Sequence, residues 1–560
     1  MKNKLILILI LIISFGFRIY RVGQYPPLLW DEASLGYNAY SILKTGKDEY
    51  GNTLPLIFKS FGDYKPGFYI YLSIPFIGAL GLNQLAVRLP SVILGSLTPL
   101  VLYLLVKEVS KDERLSLISA GVLAVLPWHI HFSRGAWEVN VMTFLVTLGT
   151  YGVIKWLADE RVKWLITGLS SFLFGLVTYQ GAKMVVPLIG LALVYLVLRT
   201  RNFELGELKK YIVPKFLIPG FIFVILTGWW YVASFSGPAS NRLKVASLFS
   251  YRRPSQEIRE ILSEDRIEAK NFHYTLFHGE WLHFLCGGMS RYFNHFSPRF
   301  LGFEGDWQNA RHSAPYFGVI GHFGLILLIL GLIFFVSKNK NWRNGFWIYW
   351  LIVLPLPAVL TRDSVSSVRA LPMIIAISFF IAYGISNIMD IFKNNSRLFI
   401  ACYLLLIIFF VSDFGYYLDL YYNHMVKLNP KQWLYGHNQA VNFIADNQNE
   451  FDRIKMTNFY GQPYVFYLFF TRYPPNQFQS QAVIEQSSSV DVGSVKKIDK
   501  VSFEPINWSK DSVDNDLLII LSEDEVFRNE LEDKPIFDQF EPIGRINGTT
   551  MFYGHEGGER

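Results

Sequence analysis

Eleven apolar runs, each long enough to cross a bilayer, divide this chain near residues 4–20, 87–106, 115–131, 139–157, 163–180, 182–199, 213–235, 313–336, 345–361, 369–390 and 397–415. In lipid such a run satisfies its backbone only as a helix or in a closed barrel, and uninterrupted apolar runs of about 17 residues or more read as helices. A polytopic α-helical membrane protein is the expected fold class. With 51% hydrophobic and 17% charged residues among 560, a soluble globular class is excluded. The net charge of +7 does not point to nucleic acid, because Lys and Arg lie in short clusters between the apolar runs, where membrane orientation and anionic lipid headgroups account for them. Two cysteines, Cys286 and Cys402, provide neither a disulfide framework nor a Cys-based zinc site. Lys2, Lys4 and the run after them look like a signal peptide, yet Phe17-Arg-Ile-Tyr-Arg21 offers no small-residue cleavage site, so an uncleaved first span is expected.

A twelfth run, Gly67 to Leu82, is shorter and contains Pro75. If it does not cross, the cytoplasmic side collects Lys2, Lys4, Lys107, Lys111, Arg114, Lys155, Arg161, Lys163, Arg199, Arg201, Lys209, Lys210, Lys215, Lys338, Lys340, Arg343, Lys393 and Arg397, while the short outer loops hold Arg134, Lys183, Arg362 and Arg369. A crossing there would invert that bias, so the run is expected to lie in or dip into the outer interface. The N-terminus is then cytoplasmic, and three pieces are extracytoplasmic: the loop 22–88, the loop 236–312 and the tail. Two parts are expected, a transmembrane domain over 1–415 and an extracytoplasmic α/β domain over 416–560. In the tail, Asp514 to Leu521 reads as a buried strand and Asn438 to Asp446 as a helix.

The first outer loop carries the chemistry. Asp31 and Glu32 follow the aromatic, proline-containing link Tyr25-Pro-Pro-Leu-Leu-Trp30. Two adjacent carboxylates near a bilayer surface are costly to hold partly desolvated, which makes them candidates for reaction chemistry. Ala33 to Gly46 reads as a helix with a glycine C-cap, so one carboxylate alone would suffice as an N-terminal cap. Lys65, in Gly62-Asp-Tyr-Lys-Pro-Gly67, suits a lipid-linked phosphate as a point charge, though a juxtamembrane lysine also snorkels to ordinary headgroups. Arg88, at the outer end of the second span, faces the same choice.

Trp30-Asp-Glu-Ala, then Gly46, Asp48, Gly51 and Pro55, then Tyr64-Lys-Pro, then Ala86-Val-Arg-Leu-Pro-Ser91, resembles the first-loop signature of the class C glycosyltransferases (GT-C) of family 39. That family includes protein O-mannosyltransferases and lipid A aminoarabinose transferases. The resemblance is strongest over roughly residues 1 to 200; beyond them, Phe293 to Leu301, Gly305-Asp306 and Arg311 to Pro315 look like its large-loop motifs. It implies about eleven transmembrane helices, juxtamembrane helices in the first outer loop and a polyprenyl-phosphate-linked sugar donor. Ser133-Arg-Gly-Ala-Trp-Glu138 matches a segment in which the aminoarabinose enzymes place a second acidic residue, here Glu138 rather than aspartate, with Asn140 nearby.

From the family's chemistry, Asp31 is expected to take the proton of an acceptor hydroxyl as that oxygen attacks the sugar C1 with inversion. Lys65, Arg88, Arg134 or His312 would steady the leaving phosphate. Glu32 would orient the acceptor or bind a divalent ion with Asp63 or Glu138; a cation is open and no metal is assigned. Asp63, Tyr64, Glu138, Asn140 and Asp306 are expected around the sugar or the acceptor. Membrane lipids are the remaining partners, and the plasma membrane the expected location. The acceptor, whether protein, lipid or glycan, is not legible. A transporter or flippase of lipid-linked sugars is the alternative. Transporters usually carry repeated halves and ionisable groups within their spans, whereas here the acids cluster in outer loops. A non-catalytic envelope scaffold leaves Asp31, Glu32 and Lys65 unexplained.

Overall fold

The computed structural model describes residues 2–61, 63–200, 214–235, 260, 263–264, 272–277, 279–338, 344–394, 396–485 and 494–558. Much of the expected large outer loop, 236–259 and 265–271 included, lies outside the described residues. Along the chain come α1 (Lys2–Ile19), α2 (Trp30–Thr45), β1 (Ile57–Ser60), β2 (Asp63–Pro66), α3 (Phe68–Leu80), α4 (Gln84–Ser110), α5 (Glu113–Val125), α6 (Pro127–Ser133), α7 (Glu138–Asp159), α8 (Val162–Leu176) and α9 (Ala182–Thr200). Further apolar helices cover Pro214–Phe235, His322–Lys338, Gly345–Val353, Ile374–Phe392 and Ser396–Asp419.

Each of the eleven apolar runs therefore carries a helix. Among the described residues six are long and apolar enough to cross a membrane, or seven if α5 and α6, bent by 57°, count as one span. The bend has a local cause: Pro127 disfavours helical backbone at the residue before it, and Leu126 is extended with ψ 124°. The others fall short for readable reasons: α8, His322–Lys338 and Gly345–Val353 are shorter, and α1 carries Lys2, Lys4 and Arg18.

Two compact units form. The first comprises residues 1–17, 95–132 and 142–418. Its helices pack through aromatic side chains; Trp347 stacks on Phe379 at 4.3 Å, and Phe335 meets Phe380 edge-on at 5.1 Å.

The second unit comprises residues 18–94, 133–141 and 419–560, so the first loop packs with the tail. Helix α2 starts where the backbone N–H of Leu29 donates to Glu32 Oε2 (3.1 Å), and it stops at Gly46, whose φ of 71° ends it in the left-handed region. Helix α3 has 13 residues, about 20 Å of rise against about 30 Å of hydrocarbon. The tail builds a seven-stranded sheet in the order β4-β5-β6-β3-β7-β9-β8, from β3 (Arg453–Met456), β4 (Val483–Glu485), β5 (Ser494–Ile498), β6 (Val501–Phe503), β7 (Leu517–Ser522), β8 (Glu541–Ile546) and β9 (Thr549–Glu556). Strand β3 runs parallel to β6 and β7, and the other pairings are antiparallel. All six residues of β7 are buried, as a strand covered on both faces requires. It lies over the expected buried strand, and the helix His437–Asn447 lies over the other expected element.

The tail meets α2 through the helix Pro463–Thr471. A side chain at Gly36 would strike Phe469 at 2.7 Å and Val87 at 2.6 Å, so only glycine allows that approach. Tyr37 Oη donates to the Tyr473 carbonyl at 3.0 Å, and Gln479 Nε2 to the Asp48 carbonyl at 2.8 Å.

Candidate active site

Asp31 and Glu32 occupy successive positions in the first turn of α2, and consecutive helical side chains point in different directions. One turns inward and the other outward. The Glu32 carboxylate is buried and accepts four hydrogen bonds: from Arg88 Nε (2.7 Å) and Nη2 (2.6 Å), from the Ala136 backbone (2.7 Å) and from the Leu29 backbone. Arg88, fully buried, gives its remaining donors to the carbonyls of Val22 (2.9 Å), Pro26 (3.0 Å) and Pro27 (3.1 Å). Glu32 and Arg88 are thus spent on each other and on the first loop. Both side chains, expected at the acceptor or a metal (Glu32) and at the phosphate (Arg88), are closed inside the unit and held by these protein partners.

Asp31 is different. Its side chain is 46% exposed, whereas that of its partner Lys65 is 11% exposed. The Lys65 ammonium forms an ion pair with Asp31 Oδ1, and Trp30 donates its indole N–H to Oδ2 at 3.0 Å. Lys65 stands on β2 opposite Phe58 and lies over the ring of Phe61, 5.7 Å from its centroid. The tail closes the back of the site. At Gly461, with φ 116°, a Cβ would come within 2.1 Å of the Trp30 ring, and Phe61 packs edge-on against Tyr464 at 6.2 Å.

The other expected residues take several positions. Tyr64 is half-buried on β2; Asp63 is part of that strand, and its side chain lies outside the described ones. Glu138 is half-buried at the start of α7 and shares the electrostatic surroundings of Tyr69 with Glu32 and Arg88. Asn140, expected around the sugar or acceptor, and Arg134, expected at the phosphate, are both fully buried. Asn140 donates to the Ser91 carbonyl and hydroxyl, each at 2.9 Å, and accepts from Ser133 Oγ at 3.3 Å. Arg134 donates to the carbonyls of Tyr20 (2.7 Å) and Tyr25 (3.2 Å) and lies over Tyr421 and Tyr422.

Asp306 and His312 belong to the first unit and pair with each other. Asp306 Oδ2 accepts from the Ser367 backbone (2.8 Å) and hydroxyl (3.0 Å) and contacts His312 Nδ1 at 3.2 Å; Oδ1 accepts from the backbones of Gln308 and Asn309, both at 3.2 Å. Burial pushes the Asp306 carboxyl up, but the bonds from His312 and Ser367 outweigh it and hold the group below the usual range. Asp306, expected around the sugar or acceptor, here ties its loop to residue 367. No three His, Cys, Asp or Glu side chains converge on one point among the described residues.

Three participants were not legible beforehand. Trp30 stood in the quoted motif, but its N–H was not foreseen as a partner of Asp31. Gly461 and Tyr464 had no signal, being more than 400 residues away in sequence.

Residues 8–237 match the family described as dolichyl-phosphate-mannose-protein mannosyltransferase. The chain resembles the class C glycosyltransferases of family 39. ArnT from Cupriavidus metallidurans in the apo state aligns over 98% of this chain and 97% of its own, with a TM-score of 0.54 and 12% identity. The same protein bound to undecaprenyl phosphate aligns over equal shares, with a TM-score of 0.51 and 11% identity. At such identities the class C likeness is one of fold. An uncharacterized protein of Aquifex aeolicus is 26% identical over 238 residues, 41% of this chain and 44% of that relative's length, so the match spans less than half of it.

Proposed function

We propose that the protein is a membrane glycosyltransferase that moves a sugar from a polyprenyl-phosphate-linked donor to an acceptor hydroxyl on the outer face of the membrane, with inversion. The observation that carries this reading is the exposed Asp31 carboxylate, oriented by Trp30 and paired with the shielded ammonium of Lys65. In the reaction the acceptor oxygen forms a bond to C1 while its proton passes to Asp31. The bond from C1 to the phosphate oxygen breaks, and its electron pair leaves with the polyprenyl phosphate. Lys65 steadies that charge, and a phosphate beside it draws the ammonium from Asp31, which frees the carboxylate to accept the proton. Glu32 and Arg88 hold the turn that presents Asp31. The ArnT structure with undecaprenyl phosphate supports a lipid-phosphate donor through the shared fold.

The test is to reconstitute the purified chain with a panel of polyprenyl-phosphate sugars and envelope acceptors and to follow release of free polyprenyl phosphate. The Asp31→Asn protein is expected to lose about 10²- to 10⁴-fold in turnover. Undiminished release by that variant refutes the assignment of the base.

A further inference from the structure

Glu49 is a buried acid that the transfer chemistry above does not use. It is 1% exposed. Its Oε1 accepts from Asn38 Nδ2 at 3.1 Å while its own backbone N–H donates to Asn38 Oδ1 at 3.0 Å, a two-way clamp between α2 and the loop that follows it. Its Oε2 is buried without a hydrogen-bond partner among the described residues. A carboxylate left so would be strongly disfavoured, while a neutral acid in the same place costs far less.

The charged and titratable groups around it come from every neighbouring element: Tyr37 on α2, Asp48 and Tyr50 on its own loop, Lys59 on β1, Lys65 on β2 and Tyr464 from the tail. Asp48 is occupied by the backbones of Tyr50 (2.9 Å) and Asn52 (2.8 Å) and by the Asn52 side chain (2.9 Å). Burial keeps the three tyrosines neutral. Burial, the largest cause, and then Asp48 push the Glu49 carboxyl up to about 8, against the Asn38 hydrogen bond and the pull of Lys65 and Lys59.

We propose that Glu49 is a positioning residue of the Asp31 and Lys65 site, a buried carboxyl whose charge state sets how much of the Lys65 ammonium is available to an anionic lipid headgroup. The inference rests on the proposed role of Lys65 at the phosphate. While Glu49 is neutral, Asp31 and the phosphate alone compete for the ammonium. Once ionised, Glu49 attracts Lys65 and repels the phosphate.

The experiment measures binding of undecaprenyl phosphate to the full chain in lipid nanodiscs from pH 7 to 9.5. Across that window a phosphate monoester is essentially dianionic (second pKa about 6) and a free lysine titrates only near about 10.4. The wild type is expected to weaken by about threefold or more between pH 7 and 9, and Glu49→Gln, which mimics the neutral acid, is expected to abolish that ratio. A ratio unchanged in Glu49→Gln, or loss of binding by the folded variant at every pH, overturns the proposal. An infrared titration of the wild type adds a readout that needs no variant. A protonated-carboxyl C=O band fading with a midpoint near pH 8 is expected, and its absence overturns the proposal. Lys65→Ala separates the two readings: if it leaves binding at pH 7 unchanged, the phosphate role of Lys65 fails, whatever Glu49 does.

Discussion

The guanidinium of Arg88 and the carboxylate of Glu32 meet in a two-bond fork, Nε to Oε1 at 2.7 Å and Nη2 to Oε2 at 2.6 Å, with the Arg88 side chain fully buried and that of Glu32 5% exposed. Removing either partner leaves a buried charge alone, which typically costs about 3–5 kcal/mol. Arg88→Ala and Glu32→Ala are each expected to lower the melting temperature and yield of the purified protein sharply. A paired apolar replacement, Arg88→Met with Glu32→Leu, should recover part of the loss. A thermal-shift double-mutant cycle checks this, and strictly additive effects would refute the coupling.

Lys65 should behave unlike Arg88. Lys65→Ala is expected to reduce sugar transfer by about 10²- to 10³-fold, as for loss of a group that steadies transition-state charge. Its melting temperature should fall much less than that of Arg88→Ala, because Asp31 is exposed to water and is not stranded. Turnover and thermal stability measured on the same preparations decide it.

A substitution in the tail should disturb the first loop. Gly461→Ala puts a methyl group where the Trp30 ring stands, at a backbone angle that side chains disfavour, and Trp30 orients Asp31. Small misplacements of a reacting group cost up to about 10²-fold, so transfer is expected to fall between about tenfold and 10²-fold. Trp30→Phe should lower transfer by losing the N–H to Asp31. Full activity in both variants would detach the tail from the site.

His437 supplies a pH dependence unrelated to transfer. Burial pushes its imidazole down to about 4, while Nδ1 keeps a 2.9 Å hydrogen bond to the Leu434 carbonyl. The folded chain therefore takes up this proton later than the unfolded chain does. Its contribution to stability is complete above about pH 6.5 and is lost as the pH falls toward 4. The limit is about 1.4 kcal/mol per pH unit. Unfolding midpoints between pH 7.5 and 4.5 are expected to decline less steeply in His437→Phe than in the wild type.

The apolar runs were legible because a helix in lipid needs length and hydrophobicity, and both are properties of consecutive residues. For the same reason α2 and its glycine stop, the buried strand β7 and the helix His437–Asn447 could be read locally. The doublet Asp31-Glu32 announced chemistry but not its division of labour. Which carboxylate is braced and which is exposed depends on where Arg88 and Lys65 arrive, and neither is a sequence neighbour. The tertiary structure decided that, and it also buried Arg134, Asn140 and Asp306, brought Gly461 against Trp30 and buried Glu49 within electrostatic reach of Lys65. Hydrogen-bond partners and burial are set by contacts between segments hundreds of residues apart, and a local pattern holds no record of them.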